Sequence, residues 1–216
     1  MAPNPGRNYL WDRKVSADSI INWRIGYDPG RGLRAMEGRI TLPLLDYHGR
    51  VVSVTGRKVF DHAWGPKYYH LPFYKGRWLY GLQQPLKKGA TAIITEGHFS
   101  AILLSQLGYL AYAVMGSTLS TWQAGHLIYI AAACGQQPPY RFVVYPDKDK
   151  PDSAAEWTRR LSAVAPVICA AGDYPPITPD DCDPDWLAQH EPETLQTMLG
   201  HAAEKLQVGG FPYANL

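Results

Sequence analysis

Arg141-Phe-Val-Val-Tyr-Pro-Asp147-Lys-Asp149 reads as a buried strand that runs directly into two carboxylates. Phe142, Val143, Val144 and Tyr145 form a short apolar run rich in β-branched and aromatic side chains, the composition of a strand inside a sheet. Pro146 has no N–H to give a ladder, so the strand should stop there. Asp147 and Asp149 then stand at its carboxyl end. If that end stays extended, the two-residue period of a strand puts both carboxylates on one face. Paired carboxylates repel, and folding gains nothing from the pairing unless a cation joins them. Hard divalent cations, Mg²⁺ above all, take oxygen ligands of this kind. For an isolated Asp-x-Asp the plain alternative is an acidic surface turn.

Upstream, Thr91-Ala-Ile-Ile-Thr-Glu96-Gly97-His98 is a second apolar strand ending in an acid, and a helix-like run follows to Leu107. Strand, acid, glycine, helix presents a residue at the carboxyl edge of an α/β sheet, where open sheets bind ligands. The alternative for Glu96 is an acid that merely complements a helix dipole. The pattern then repeats. Strand 110–114 leads to the turn Met115-Gly116-Ser117-Thr118, a helix covers about 120–133, and strand 141–145 carries the acid pair. Asp152-Ser153 should cap a helix in which Trp157, Leu161 and Val164 share a face, and strand 167–170 closes the run. This βαβαβαβ order predicts a mostly parallel sheet flanked by helices. Parallel strands bring their carboxyl ends to one edge, so Glu96, Asp147 and Asp149 can converge there. The run Asp180-Asp181-Cys-Asp183-Pro-Asp185 follows the last strand. Residues 186–207 read as helical, in two pieces broken near Glu191-Pro192.

The 216 residues allow one large domain or two small ones with a real core. Net charge is +2, so any nucleic-acid role must come from local patches. Three separated cysteines exclude a self-contained zinc ribbon and do not suggest a disulfide framework; a reducing compartment fits best. No signal peptide and no bilayer-spanning apolar run is visible. Residues 1–8 read as loose, and 9–25 as helical with Ser16 as an N-cap. Gly26-Tyr-Asp-Pro-Gly-Arg-Gly breaks that helix. Residues 39–60 read as an antiparallel pair around the turn Asp46-Tyr-His-Gly49-Arg. Segment 57–78 interleaves Arg57, Lys58, Lys67, Lys75 and Arg77 with seven aromatic rings. Cations bind phosphate and flat rings stack on bases, which suits single-stranded nucleic acid. A β-rich subdomain with an aromatic core and a basic rim is the alternative. Lys87-Lys88-Gly89 looks like a boundary turn.

Together these motifs resemble the Toprim fold as found in bacterial and phage DnaG-type DNA primases. Ile-Thr-Glu96-Gly97-His98 looks like that family's Glu-Gly motif, Tyr-Pro-Asp147-Lys-Asp149 its Asp-x-Asp, and Asp183-Pro-Asp185 the Asp-Pro-Asp after its last strand. Met115-Gly116-Ser117 stands where the family has Leu-Gly-Thr. The likeness continues upstream in Tyr9-Leu-Trp-Asp-Arg13, Arg39-Ile-Thr-Leu-Pro and Gly49-Arg-Val-Val-Ser-Val-Thr-Gly56-Arg57. Pro66-Lys67-Tyr68-Tyr-His-Leu-Pro and Tyr74-Lys75-Gly76-Arg77-Trp-Leu-Tyr80-Gly81-Leu are similar to the family's basic single-strand-binding stretch. The resemblance covers about residues 9–200. The acid motifs alone say Toprim, and the basic blocks say primase. Two positions depart: Ser100 stands where the family usually carries an Asp, and His70 where it carries an Asn. The family's zinc ribbon and helicase-binding domain are not found, which implies a bare catalytic core of the kind seen in phages and mobile elements.

The resemblance implies an α/β protein with a smaller amino-terminal basic α+β subdomain over 1–88. A Toprim-like metal-binding domain over 89–185 and a helical segment over 186–216 follow. It implies a DNA-directed RNA polymerase that makes primers on single-stranded DNA from NTPs. Glu96, Asp147 and Asp149 would be catalytic and hold Mg²⁺ or Mn²⁺, with Asp183 and Asp185 as outer or second-metal ligands. Arg39, Arg57, Lys67, Tyr68, Lys75, Arg77 and Lys148 would bind template or triphosphate. His98 reads as a surface residue, with nucleotide contact as the sharper alternative. A replicative helicase or a separate zinc-binding template-recognition protein would be the partner, and the cytoplasm of a bacterium or a phage-infected host the location. The rivals are a Toprim nuclease or topoisomerase-like fragment, and a non-catalytic single-strand-binding replication subunit, which Ser100 favours.

Overall fold

The structure, a computed structural model, describes residues 4–61, 64–172, 174–175, 178–180 and 182–206. The chain forms two compact units, Met1–Phe73 and Tyr74–Leu216. In the first, helices α1 (Pro5–Asp12) and α2 (Ala17–Asn22) precede an antiparallel sheet. Its strands β1 (Gly26–Asp28), β2 (Arg39–Leu45), β3 (Val51–Lys58) and β4 (Tyr68–His70) lie in chain order. The expected pair 39–60 is β2 and β3. Asp46 closes their turn by accepting from the His48 and Arg50 backbone N–H groups, each at 2.9 Å. Ser16 caps α2 as expected, accepting from the Ser19 N–H at 3.1 Å.

Three expectations about the start of the chain are corrected. Residues 5–8 are helical rather than loose, because Asn4 accepts from the Arg7 N–H at 3.2 Å and Pro5 supplies a preset first turn. The helix read over 9–25 is two helices, interrupted where Lys14 takes a left-handed φ of +59°. The glycine-rich break begins as a strand, with Tyr27 paired to Ile40. Residues 1–3 lie outside the described part.

The second unit contains β5 (Ala92–Thr95), α3 (His98–Gln106), β6 (Leu110–Ala113), α4 (Thr121–Ala133), β7 (Tyr140–Val144), α5 (Pro151–Ser162) and β8 (Val167–Ala171). It ends with α6 (Pro184–His190) and α7 (Pro192–Lys205), broken at the expected place. All sheet pairings are parallel, in the order β6-β5-β7-β8. Every residue of β5 and β6 is buried, as expected for a parallel sheet covered on both faces. Helices α3, α6 and α7 pack together on one face, and α4 with α5 on the other.

The first domain boundary falls after Phe73, not after residue 88. Tyr80 and Ala113 exchange backbone hydrogen bonds at 2.9 and 3.0 Å, and the Gln123 side-chain amide donates to the Trp78 carbonyl at 2.8 Å. These bonds tie 74–88 to the parallel unit, so the basic–aromatic segment read as one stretch is divided between units. After residue 184, α6 packs on α3, and α7 packs on α6 and β8, so both belong to the same unit. Helix α5 starts at Pro151, two to three residues earlier than the Asp152-Ser153 cap implied. Trp157 and Leu161 are buried, but Val164 lies beyond the helix end and is exposed. Among the described residues no helix is long and apolar enough to cross a membrane.

Candidate metal and nucleotide site

Strand order places the acids. The chain leaves β5 toward β6, then returns across the sheet to β7 and continues to β8, so β5 and β7 are neighbours whose connections run in opposite directions. The crevice outside the carboxyl ends of two such strands is the usual ligand site of an open α/β sheet. Ile94 pairs with Val144, and the Tyr145 N–H donates to the Ile94 carbonyl at 2.8 Å. Two residues beyond Ile94 comes Glu96; after Tyr145 and Pro146 comes Asp147. Both stand at the switch.

The electrostatics are those of crowded acids. Asp147 is pushed up to about 7, first by burial and then by the charges of Asp183, Glu96 and Asp149. Glu96 is raised as well, by burial above all, against the lowering influence of Lys150. The Asp147 backbone N–H and the Ser153 hydroxyl also favour the Glu96 carboxylate. One oxygen of each acid, Glu96 Oε1 and Asp147 Oδ1, is buried with no hydrogen-bond partner. An orphaned buried acceptor is costly, and a divalent cation is the ligand such oxygens suit. Yet among the described residues no three His, Cys, Asp or Glu side chains are drawn together as a ready-made metal cage. Asp149 is instead ion-paired with Lys150, whose charge also acts on Glu96 and Asp147. Sequence reading passed over Lys150 and took Ser153 only as a helix cap; the alternation Asp147-Lys-Asp149-Lys was the available signal for the first.

The other expected ligands have local tasks. Asp183 caps α6, accepting from the Trp186 N–H at 2.8 Å, while its charge still reaches Asp147. Asp185 is buried in the first turn of α6, with the Gln189 amide 3.4 Å from its carboxylate. Asp181 lies outside the described residues. Lys148 faces residues 178–180: its ammonium donates to the Thr178 carbonyl at 2.6 Å and lies 3.7 Å from Asp180. His98 is buried rather than a surface residue, edge-on to Tyr80 at 4.6 Å between ring centroids. Ser100 is buried in the first turn of α3, its hydroxyl beside Gly97. That is the acid edge, as its spacing from Glu96 implied. Lys75 reaches the same edge. A Cβ on Gly116, in the turn after β6, would meet its ammonium at 3.3 Å, and burial lowers the Lys75 pKa.

In the first unit, Arg57 lies over two rings, Tyr9 at 5.7 Å and Tyr68 at 5.2 Å. Lys67 is exposed just before β4. Arg39 departs from the expected binding role. It is buried, donating to the carbonyls of Trp64 at 2.6 Å, Pro66 at 2.9 Å and Gly56 at 3.3 Å. Its guanidinium holds the 64–67 loop against β3 and is not presented to a ligand. Arg77, in the second unit, is exposed beside Tyr74 and Trp122.

No protein-family model matches the chain. It is similar to the DNA primase of Salmonella typhimurium, with 27% identity over 229 residues, covering 88% of the chain and 38% of that protein. The DNA primase of Deinococcus radiodurans is 28% identical over 162 residues, covering 56% and 28%. That of Clostridium acetobutylicum is 39% identical over 93 residues, covering 40% and 15%. The chain thus spans well under half the length of these curated relatives. Among solved structures, the DnaG catalytic core superposes with a TM-score of 0.69 at 22% identity, over 92% of this chain and 73% of that one. The zinc-binding and RNA polymerase domains of Aquifex aeolicus primase give 0.70 at 20% identity, over 94% and 60%. The DnaG primase catalytic domain bound to single-stranded DNA gives 0.65 at 19% identity, over 92% and 72%. The fold is that of the DnaG catalytic core.

Proposed function

We propose that this relative of the DnaG-type DNA primases is itself a primer-synthesising core, a DNA-directed RNA polymerase acting on single-stranded DNA with NTPs. The observation that supports it most is the pair of orphaned oxygens on Glu96 and Asp147 at the switch between β5 and β7. Glu96, Asp147 and Asp149 would hold Mg²⁺ or Mn²⁺, with Asp183 and Asp185 as outer ligands. When bound, the ion would neutralise triphosphate charge and make the primer 3′-hydroxyl a better nucleophile. Ser153 and the Asp147 backbone would orient Glu96. Lys150 would give up Asp149 and become free to meet phosphate. Lys75 would bring a cation to the turn after β6. Arg57, Lys67, Tyr68 and Arg77 would hold template or triphosphate. Lys148 would steady residues 178–180 beside the acids. A replicative helicase or a separate zinc-binding protein would select the template, in the cytoplasm.

A single-stranded template incubated with labelled NTPs and Mn²⁺, resolved on a gel, tests the reading. Template-length-limited RNA is the expected product. Template cleavage would make the chain a metal-dependent nuclease, and a mobility shift without product would make it a binding subunit.

A further inference from the structure

We infer that Tyr74, Arg77 and Trp122 form a base-stacking platform for single-stranded nucleic acid at the start of α4. The guanidinium carbon of Arg77 lies 5.0 Å from the centroid of the Tyr74 ring and 5.5 Å from that of Trp122. Both rings are open to solvent, Tyr74 at 76% and Trp122 at 65%. The backbone that carries them is fixed. The Ser120 hydroxyl donates to the Gly76 carbonyl, the Gln123 amide donates to the Trp78 carbonyl at 2.8 Å, and a His126 ring nitrogen lies 3.0 Å from the Arg77 carbonyl. Two exposed rings around one cation, on an anchored turn, present flat apolar surface and positive charge at low ordering cost.

Charge selects the occupant. Between Asp61 and Asp147 the only carboxylate is Glu96, while Lys67, Lys75, Arg77, Lys87, Lys88 and Arg141 fall in the same span. Helix α4 itself carries no ionised side chain at neutral pH, since burial lowers the His126 pKa. A polyanion therefore meets no like charge on this helix. Two rings around a cation are also too small an apolar area for a stable protein interface, but they match single bases, each of which has a face to stack. The platform stands at the sheet edge of the acids, because α4 begins just past the carboxyl end of β6. A strand leaving that edge would step onto it. This assignment rests on the nucleic-acid reading above, and it adds Trp122, which no basic motif contains.

Fluorescence anisotropy of a labelled oligothymidylate and of an abasic oligomer of equal length tests it on the full chain. Trp122→Ala should weaken oligothymidylate binding about 5-fold or more, the lower end of what one stacked base supplies. Trp122→Phe should keep most of the affinity, and abasic binding should be the same in all three proteins. Equal oligothymidylate affinity in wild type and Trp122→Ala would overturn the platform alone. Equal weakening toward both oligomers would overturn stacking. Loss of a self-associated species in Trp122→Ala, seen by sedimentation, would make the surface an interface between copies and overturn the assignment. If the wild type binds neither oligomer, the nucleic-acid reading falls and takes the platform with it.

Discussion

Asp147 holds its proton to near neutral pH because it is buried among other acids, and that has a measurable sign. Its folded pKa of about 7 lies above the ordinary value of 3.8. Below pH 4 both folded and unfolded chains are protonated there, and the group contributes nothing to the difference. Between about 4 and 7 only the unfolded chain releases the proton, so stability falls by up to about 1.4 kcal/mol per pH unit, and it levels above 7. Asp147→Asn removes that slope. Urea melts of both proteins across this range should show the metal-free variant gaining on the wild type as pH rises; a variant that loses stability at pH 7 would make Asp147 a structural acid. Arg39 is the opposite case. Arg39→Met leaves several carbonyls around the 64–67 loop without their donor. It should cost about 2 kcal/mol or more in a denaturant melt, with little change in single-strand affinity per folded molecule. A large affinity loss at unchanged stability would return Arg39 to the binding surface.

At the scale of elements, helix α3 offers the clearest test. Its first turn points at the acid edge with Ser100, a neutral hydroxyl. An Asp there adds a further oxygen ligand and one more charge, and affinity at such sites follows ligand charge. Ser100→Asp should therefore tighten Mn²⁺ binding without nucleotide, read by electron paramagnetic resonance. An unchanged isotherm would place the metal beyond the reach of α3. The two basic segments predict a second effect. Lys67→Ala and Arg77→Ala should each flatten the log–log salt dependence of single-strand binding by roughly 0.7. An unchanged slope would place that residue off the phosphate track. The sequence made the parallel strands legible because each is an apolar run closed by a turn residue, and the acids legible because they stand at those closures. It did not show strand order, which is set by crossovers between distant segments and which turns two strand-end acids into neighbours. Nor did it show that Arg39 turns inward, since that depends on the Gly56, Trp64 and Pro66 carbonyls, which only folding brings near; Lys150, next to Asp149 in the chain, was legible from the charge alternation there. The early helix at Pro5 was readable from Asn4-Pro5 as a cap followed by a first-turn proline.

The whole molecule joins an antiparallel unit with exposed cations and rings to a parallel unit whose open edge collects acids. At the β5–β7 edge one oxygen each of Glu96 and Asp147 is buried with no hydrogen-bond partner. Such local conflict is expected where function, not stability, sets the residues. The most direct test is the rate of labelled NTP incorporation on a single-stranded template at fixed Mn²⁺, for the wild type, Glu96→Gln and Asp147→Asn, with single-strand affinity measured on the same samples. The expected result is template-dependent RNA from the wild type, and at least a 100-fold lower rate from either variant at unchanged affinity, about 2.7 kcal/mol of transition-state stabilisation. RNA synthesis by Asp147→Asn at the wild-type rate would contradict the assignment of the acid edge as the catalytic centre.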